Sequence, residues 1–192
     1  MAKPLRNHEI EERVTPSGML REAVEFFCAS VAAERSMSLD FDYACSPVFA
    51  NLGQAIELTL KALLREDGTS PKDMRDKFGH NLSKCLEHAS ARRNSLKLEP
   101  VEQNTFDSFS ALYSFKDYHY FGAGIVTGAP SHLAVEKIAR SILRQAMWEI
   151  DPGGLILRCP NLHRLFSDEK RPPPQPFSEE DAVAALKALD RI

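Results

Sequence analysis

The segment that most limits what this chain folds into is Pro47–Leu64, PVFANLGQAIELTLKALL. Wound as a helix, it puts Phe49, Leu52, Ile56, Leu60 and Leu63 on one face and leaves Val48, Leu58 and Leu64 elsewhere. A helix that is apolar nearly all round belongs in the middle of a bundle, because a single neighbour covers only one stripe of it. Ser46-Pro47 supplies a cap and a first-turn proline before it, and Gly68 supplies a stop. Glu57 and Lys61 stand four residues apart and pair, which lets a polar strip persist on an otherwise apolar surface. The chain has 192 residues, enough for one domain with a real core plus additional segments.

The neighbours such a helix needs are legible on both sides of it. Thr15-Pro16 repeats the cap-plus-proline signal, and Leu20, Val24, Phe27 and Val31 then recur at helical spacing. Ser36–Cys45 loses the period and reads as a loop. Ser70-Pro71 opens a short helical turn ending at Gly79, followed by a stripe of Leu82, Cys85, Leu86 and Ala89, with His80 or Asn81 placed to cap it. After Pro100, an aromatic-rich helix carries Phe106, Phe109, Leu112, Tyr113 and Tyr120. Phe121–Pro130 (FGAGIVTGAP) is a glycine-rich loop, and Ser131 caps a last long helix with Val135, Ile138, Ile142 and Ala146 on its buried side. No strand-like alternation and no internal repeat is visible. The expected fold is therefore all-α, an up-and-down bundle of four to five core helices over residues 1–150. Residues 151–177 form an irregular segment with a proline-rich linker (SDEKRPPPQP), and residues 178–192 form an amphipathic helix with Val183, Leu186 and Leu189 on one face. That helix is too short to stand alone, and packs on its own bundle or on a partner subunit.

Composition excludes several classes. Hydrophobic residues at 43% and charged residues at 27% are ordinary for a globular chain and argue against wholesale disorder. A net charge of −3 gives no global drive toward nucleic acid or an anionic membrane. No apolar run approaches a bilayer span and no secretory signal is present, so the expected compartment is the cytoplasm. The four cysteines, Cys28, Cys45, Cys85 and Cys159, form no CxxC pair and are expected to be thiols. Charge is nevertheless uneven: residues 65–97 carry eight basic against five acidic side chains. An anionic partner would dock there, where Arg92 and Arg93 are adjacent; the plainer reading is a solvated helix face.

The sharpest chemical candidate is RDKFGH, Arg75–His80. Histidine exchanges protons near neutral pH, and an arginine close by binds phosphate bidentately. With Asp76 between them, Arg75 and His80 are the minimum for metal-free RNA cleavage, in which a 2′-hydroxyl attacks the adjacent phosphate. The competing reading is a helix stop followed by a helix start. Tyr118, His119 and Tyr120 are the exposed-aromatic candidates for stacking on bases. His80, Cys85 and His88 lack a fourth ligand and give no zinc pattern, and GAGIVTG lacks phosphate-loop spacing, so no metal or cofactor is expected.

Two short segments, ELTLKALL (Glu57–Leu64) and GHNLSKCL (Gly79–Leu86), resemble the second and third helices of HEPN-domain proteins, and YHYFG (Tyr118–Gly122) resembles the aromatic turn before their last core helix. The resemblance implies a helical bundle, often a homodimer, working beside RNA or a nucleotidyltransferase-type partner in defence or toxin–antitoxin systems. Catalytic members carry an arginine, a polar residue, three variable residues and a histidine, which Arg75, Asp76 and His80 match. In ribonuclease members that motif lies near the last core helix. Its place here, between the second and third main helices, is where noncatalytic members carry a Gly-His-x-Leu turn. The resemblance thus favours a protein that acts by binding, with a metal-independent endoribonuclease or a dimerisation module as alternatives.

Overall fold

The computed structural model describes residues 14–36, 46–114 and 129–151. All of its regular structure there is helical: α1 Pro16–Ser36, α2 Ser46–Glu66, α3 Pro71–Asp73, α4 Leu82–Ser90, α5 Pro100–Ser114 and α6 His132–Ile150. A π turn, Met74–Phe78, continues α3, and a 3₁₀ turn, Asn94–Leu96, precedes α5. The expected helix at 178–192 and the linker before it lie outside the described residues, as do the GAGIVTG loop and most of the Ser36–Cys45 segment.

Helix α2 touches α1, α4, α5 and α6, the environment its composition demands. Val48, Phe49, Leu52, Ala55, Ile56, Leu60, Leu63 and Leu64 are all buried. Each fully buried Leu, Ile or Phe contributes about 1.5–3 kcal/mol relative to solvent exposure, so this helix alone anchors much of the core. The stripes on its neighbours face it as their spacing requires. Leu20, Val24, Phe27 and Val31 of α1, Leu82, Cys85, Leu86 and Ala89 of α4, and Val135, Ile138, Ile142 and Ala146 of α6 are buried. On α5, Phe106, Phe109, Ser110 and Tyr113 turn inward and Leu112 is only half-buried.

The boundaries follow local chemistry. Thr15 caps α1 by accepting from the Gly18 N–H at 3.1 Å, and Ser70 caps α3 by accepting from Asp73 at 3.0 Å. At the end of α2, the Thr69 N–H reaches the Leu64 carbonyl and the Gly68 N–H the Arg65 carbonyl, both at 3.0 Å. Gly68, at φ +89°, is the residue that permits this paired closure. Asn81, rather than His80, caps α4, its Oδ1 accepting from the Lys84 N–H at 2.9 Å. Ser131 occupies the cap position of α6, but its side chain makes no capping bond.

Polar ties set the helix ends against one another. Arg65 Nε donates to the Val14 carbonyl at 3.3 Å, joining the end of α2 to the start of α1. Arg93 clasps Asp67 with two nitrogens, at 2.7 and 2.8 Å, and also bonds Glu149 near the end of α6. Its side chain is 11% exposed, and the hydrogen bonds it donates to Asp67, with the one to Glu149, outweigh burial and raise its already high pKa. A two-carboxylate clasp of this kind is sensitive to loss of its centre. Arg93→Ala is expected to destabilise by about 2 kcal/mol in chemical denaturation followed by circular dichroism. A change within about 0.5 kcal/mol, the range of ordinary surface substitutions, would show that the clasp holds nothing together.

The outer face of α6 is different in kind. Leu133 and Trp148 on it are 55% and 70% exposed. No helix among the described residues is long and apolar enough to cross a membrane.

Candidate functional site

Three residues on one side of α2, Gly53, Glu57 and Lys61, follow each other at four-residue intervals, with Gln54 beside them. Gly53 is where α5 comes closest. The ring of Tyr113 lies directly against it, and a Cβ at this position would sit 2.1 Å from ring atoms Cδ2 and Cε2. Only glycine lets that ring lie flat enough for its hydroxyl to reach Glu57 Oε2, to which it donates at 2.7 Å. The Gln54 side-chain amide is 3.0 Å from the same hydroxyl.

Glu57 is buried, and its two oxygens take three partners. Lys61 Nζ donates to Oε1 at 2.6 Å, realising the pair expected from spacing. Tyr113 and His80 Nδ1 share Oε2, the latter at 2.9 Å. Burial pushes the carboxyl up, but hydrogen bonds from Lys61, His80 and Tyr113, together with the Lys61 charge, outweigh it and hold Glu57 below its ordinary value. An ionised carboxylate therefore sits inside the bundle with both of its oxygens accepting hydrogen bonds.

His80 is brought to this carboxylate by the turn before it. The π turn ends where the Gly79 N–H bonds the Met74 carbonyl at 3.1 Å, and Gly79 adopts φ +53°, a conformation that favours glycine. His80 then points back across α2. Its ring meets the Tyr113 ring edge-on at 6.3 Å, and its carbonyl accepts from Ser114 Oγ at 3.2 Å. The side chain remains 54% exposed, so one edge of the imidazole is anchored and the other faces out.

The other expected site residues are placed as follows. Arg75 and Asp76 lie on the exposed π turn, with Arg75 Nε 3.2 Å from Asp76 Oδ1. Lys77 on the same turn pairs with Asp73 at 2.9 Å. Arg92 is exposed, 3.8 Å from Asp67. Arg93, expected to meet an anionic partner, has its donors directed into the clasp with Asp67 and Glu149. Tyr118, His119 and Tyr120 lie outside the described residues. Cys85 is a core residue whose thiol burial pushes up to about 12, and His88 stacks edge-on against Phe78 at 5.2 Å.

An open groove of about 650 Å³ runs between α4, the 3₁₀ turn and α5. Ser83, Lys84, Glu87, Lys97, Gln103 and Asp107 are among the residues lining it, and neither Arg75 nor His80 does so. The conspicuous chemistry is therefore the Glu57 cluster rather than the groove. Of its members, sequence reasoning found Glu57, Lys61 and His80 and missed Gly53, Gln54 and Tyr113. A glycine in the middle of so apolar a helix was the available signal, since it marks a close approach by another element.

The cluster has a measurable acid limit. Because Glu57 is more acidic in the folded chain than in the unfolded one, the unfolded state takes up its proton first as pH falls. Its contribution is complete above the ordinary value of 4.5 and is lost as pH drops through the lower folded value. Asp73 is shifted the same way, chiefly by its hydrogen bond to Lys77, so the wild type must be compared with Glu57→Gln. The stability gap between the two is expected to narrow as pH falls below 4.5 in denaturant titrations. A gap that stays constant over that range would mean that Glu57 is not held low.

Compared with models of known protein families, with curated proteins and with solved structures, the chain matches none.

Proposed function

We propose that this chain is a HEPN-like bundle that acts by binding, as a homodimer, to RNA, a nucleotide or a nucleotidyltransferase-type protein that handles one. The observation that carries the reading is the 2.9 Å bond between Glu57 and His80. Those residues belong to the two separate segments that bear the resemblance, Glu57–Leu64 and Gly79–Leu86. Their meeting in one cluster supports treating the two segments as parts of one arrangement rather than as independent short matches. The exposed cations Arg75 and Lys77 on the adjoining turn are the contacts for phosphate.

The test is fluorescence anisotropy with labelled single-stranded RNA, hairpin RNA and ATP, alongside the mass from light scattering. Saturable binding that weakens in Arg75→Ala and His80→Ala, by a dimer, is the expected result. A monomer that binds none of the three, and captures no nucleotidyltransferase supplied with it, would refute the proposal.

One observation favours an endoribonuclease as the second reading. A histidine anchored at Nδ1 by a carboxylate, with its other edge exposed, has the posture of a general base. In that reading His80 takes the 2′-hydroxyl proton and Arg75 stabilises the charged phosphorane. RNA cleavage that survives EDTA and disappears in His80→Ala would establish it, and intact RNA after prolonged incubation would exclude it.

A further inference from the structure

We propose that the groove between α4 and α5 is the seat of the chain's own residues 178–192, which dock there as a helix running alongside α5.

The groove suits an occupant of a particular kind. Buried Leu86 and Leu96 and half-buried Leu98 form its floor. Four charged side chains line it, and two of them are already engaged. Lys84 Nζ donates to the Lys77 carbonyl at 2.8 Å. Asp107 accepts from Ser83 Oγ at 2.7 Å and from Gln103 Nε2 at 3.0 Å. The other two, Glu87 and Lys97, are exposed and form no ion pair among the described residues. What complements this surface is an apolar stripe edged by one anion and one cation.

Residues 178–192, SEEDAVAALKALDRI, carry that pattern. Wound as a helix, they put Val183, Leu186 and Leu189 on one face. Glu180 and Lys187 then stand two turns apart along the edge of that face, separated by about 10 Å.

Direction agrees with pattern. The described chain ends at Asp151, just beyond Glu149. Glu149 bonds Arg93, which immediately precedes the 3₁₀ turn Asn94–Leu96. The chain therefore leaves the described residues beside the Lys97 end of the groove. From that end α5 runs toward the start of α4, where Asp107 and Ser110 meet Ser83. A helix entering at Lys97 brings its acidic start, Glu179-Glu180-Asp181, to that lysine and carries Lys187 on to Glu87. The reverse direction would set Lys187 and Arg191 against Lys97. Residues 152–177 reach the groove easily, since a coil of that length spans roughly 30 Å. Tethering also favours the chain's own groove over a second copy's at micromolar protein, through an effective concentration on the order of 1 mM.

Treating the full-length protein with a water-soluble carbodiimide tests the seat, because the reagent joins carboxylates and amines that are already in contact. Peptide mass spectrometry of the monomer band is expected to find Lys187 joined to Glu87, and Lys97 joined to Glu179, Glu180 or Asp181. A Lys187 joined only to other carboxylates, or to none, overturns the seat. Links confined to a dimer band place the segment on a second copy and overturn its intramolecular docking. Hydrogen exchange supplies the variants. Amides of residues 183–192 are expected to exchange at least about tenfold more slowly than in the free peptide. Glu87→Lys is expected to lower that protection about two- to fivefold, the range of exposed ion pairs, and adding Lys187→Glu to restore it. Leu186→Glu is expected to remove the protection altogether. Unprotected amides in the wild type, or protection indifferent to both Glu87→Lys and Leu186→Glu, overturn the proposal.

Discussion

Glu57→Ala is expected to lower the stability of the folded chain by about 3 kcal/mol, or about 6–12 °C in a thermal melt followed by circular dichroism. Removing the carboxylate takes an acceptor from three groups at once. The Lys61 ammonium, with its side chain only 14% exposed, loses its counter-charge, His80 loses its Nδ1 partner, and the Tyr113 hydroxyl falls back on Gln54. Each unsatisfied polar group of this kind costs about 1–3 kcal/mol, more when it is charged. The cavity left by the side chain adds to the loss. A compensated variant separates these causes. Glu57→Leu combined with Lys61→Met removes both charges together, and buried ion pairs replaced in this way are often neutral in stability. The double variant is therefore expected to regain most of the loss, and a double variant as unstable as Glu57→Ala would show that the pair itself is not what matters.

Gly53→Ala gives the second large effect, and its sign is the test. Within a helix interior, replacing glycine by alanine ordinarily stabilises by roughly 0.5–1 kcal/mol. Here the added methyl would overlap the Tyr113 ring, so α5 must shift or the ring must turn away from Glu57. Overpacking of a tight contact costs about 1–3 kcal/mol, and loss of the Tyr113 hydrogen bond to an ionised partner adds about 1.5–3. The net expectation is a destabilisation of about 2–4 kcal/mol. In a Tyr113→Leu background the clash is relieved, and the same Gly53→Ala change is expected to become neutral or stabilising. A stabilising Gly53→Ala in the wild-type background would sink the close packing of α2 and α5 at this point.

The helices were readable because their apolar residues recur with the period of the structure they form. Leu20, Val24, Phe27 and Val31, or Val135, Ile138, Ile142 and Ala146, state their buried face directly. The cluster at Glu57 was only half readable. Its Lys61 partner lies one turn away on the same helix, where spacing alone identifies it. Tyr113 lies 56 residues away, and its ring looked like one more member of an aromatic stripe. It is buried like Phe106 and Phe109, so periodicity gave its placement correctly and its hydrogen bond not at all. His80 illustrates another limit. Both it and Asn81 suited the start of α4, and the choice depended on a carboxylate 23 residues earlier. Arg93 shows the same thing in reverse, since nothing local distinguishes it from the exposed Arg92 beside it.

The exposed position of Trp148 has a practical consequence for studying this protein. It is the only tryptophan in the chain, and it stands on the outer face of α6 rather than in the core. Intrinsic emission will thus be red-shifted and readily quenched by acrylamide in the native state, and unfolding will change it little. The same property makes it a reporter of contact from outside. A macromolecule settling on α6 would shift that emission to the blue while leaving the helical ellipticity unchanged.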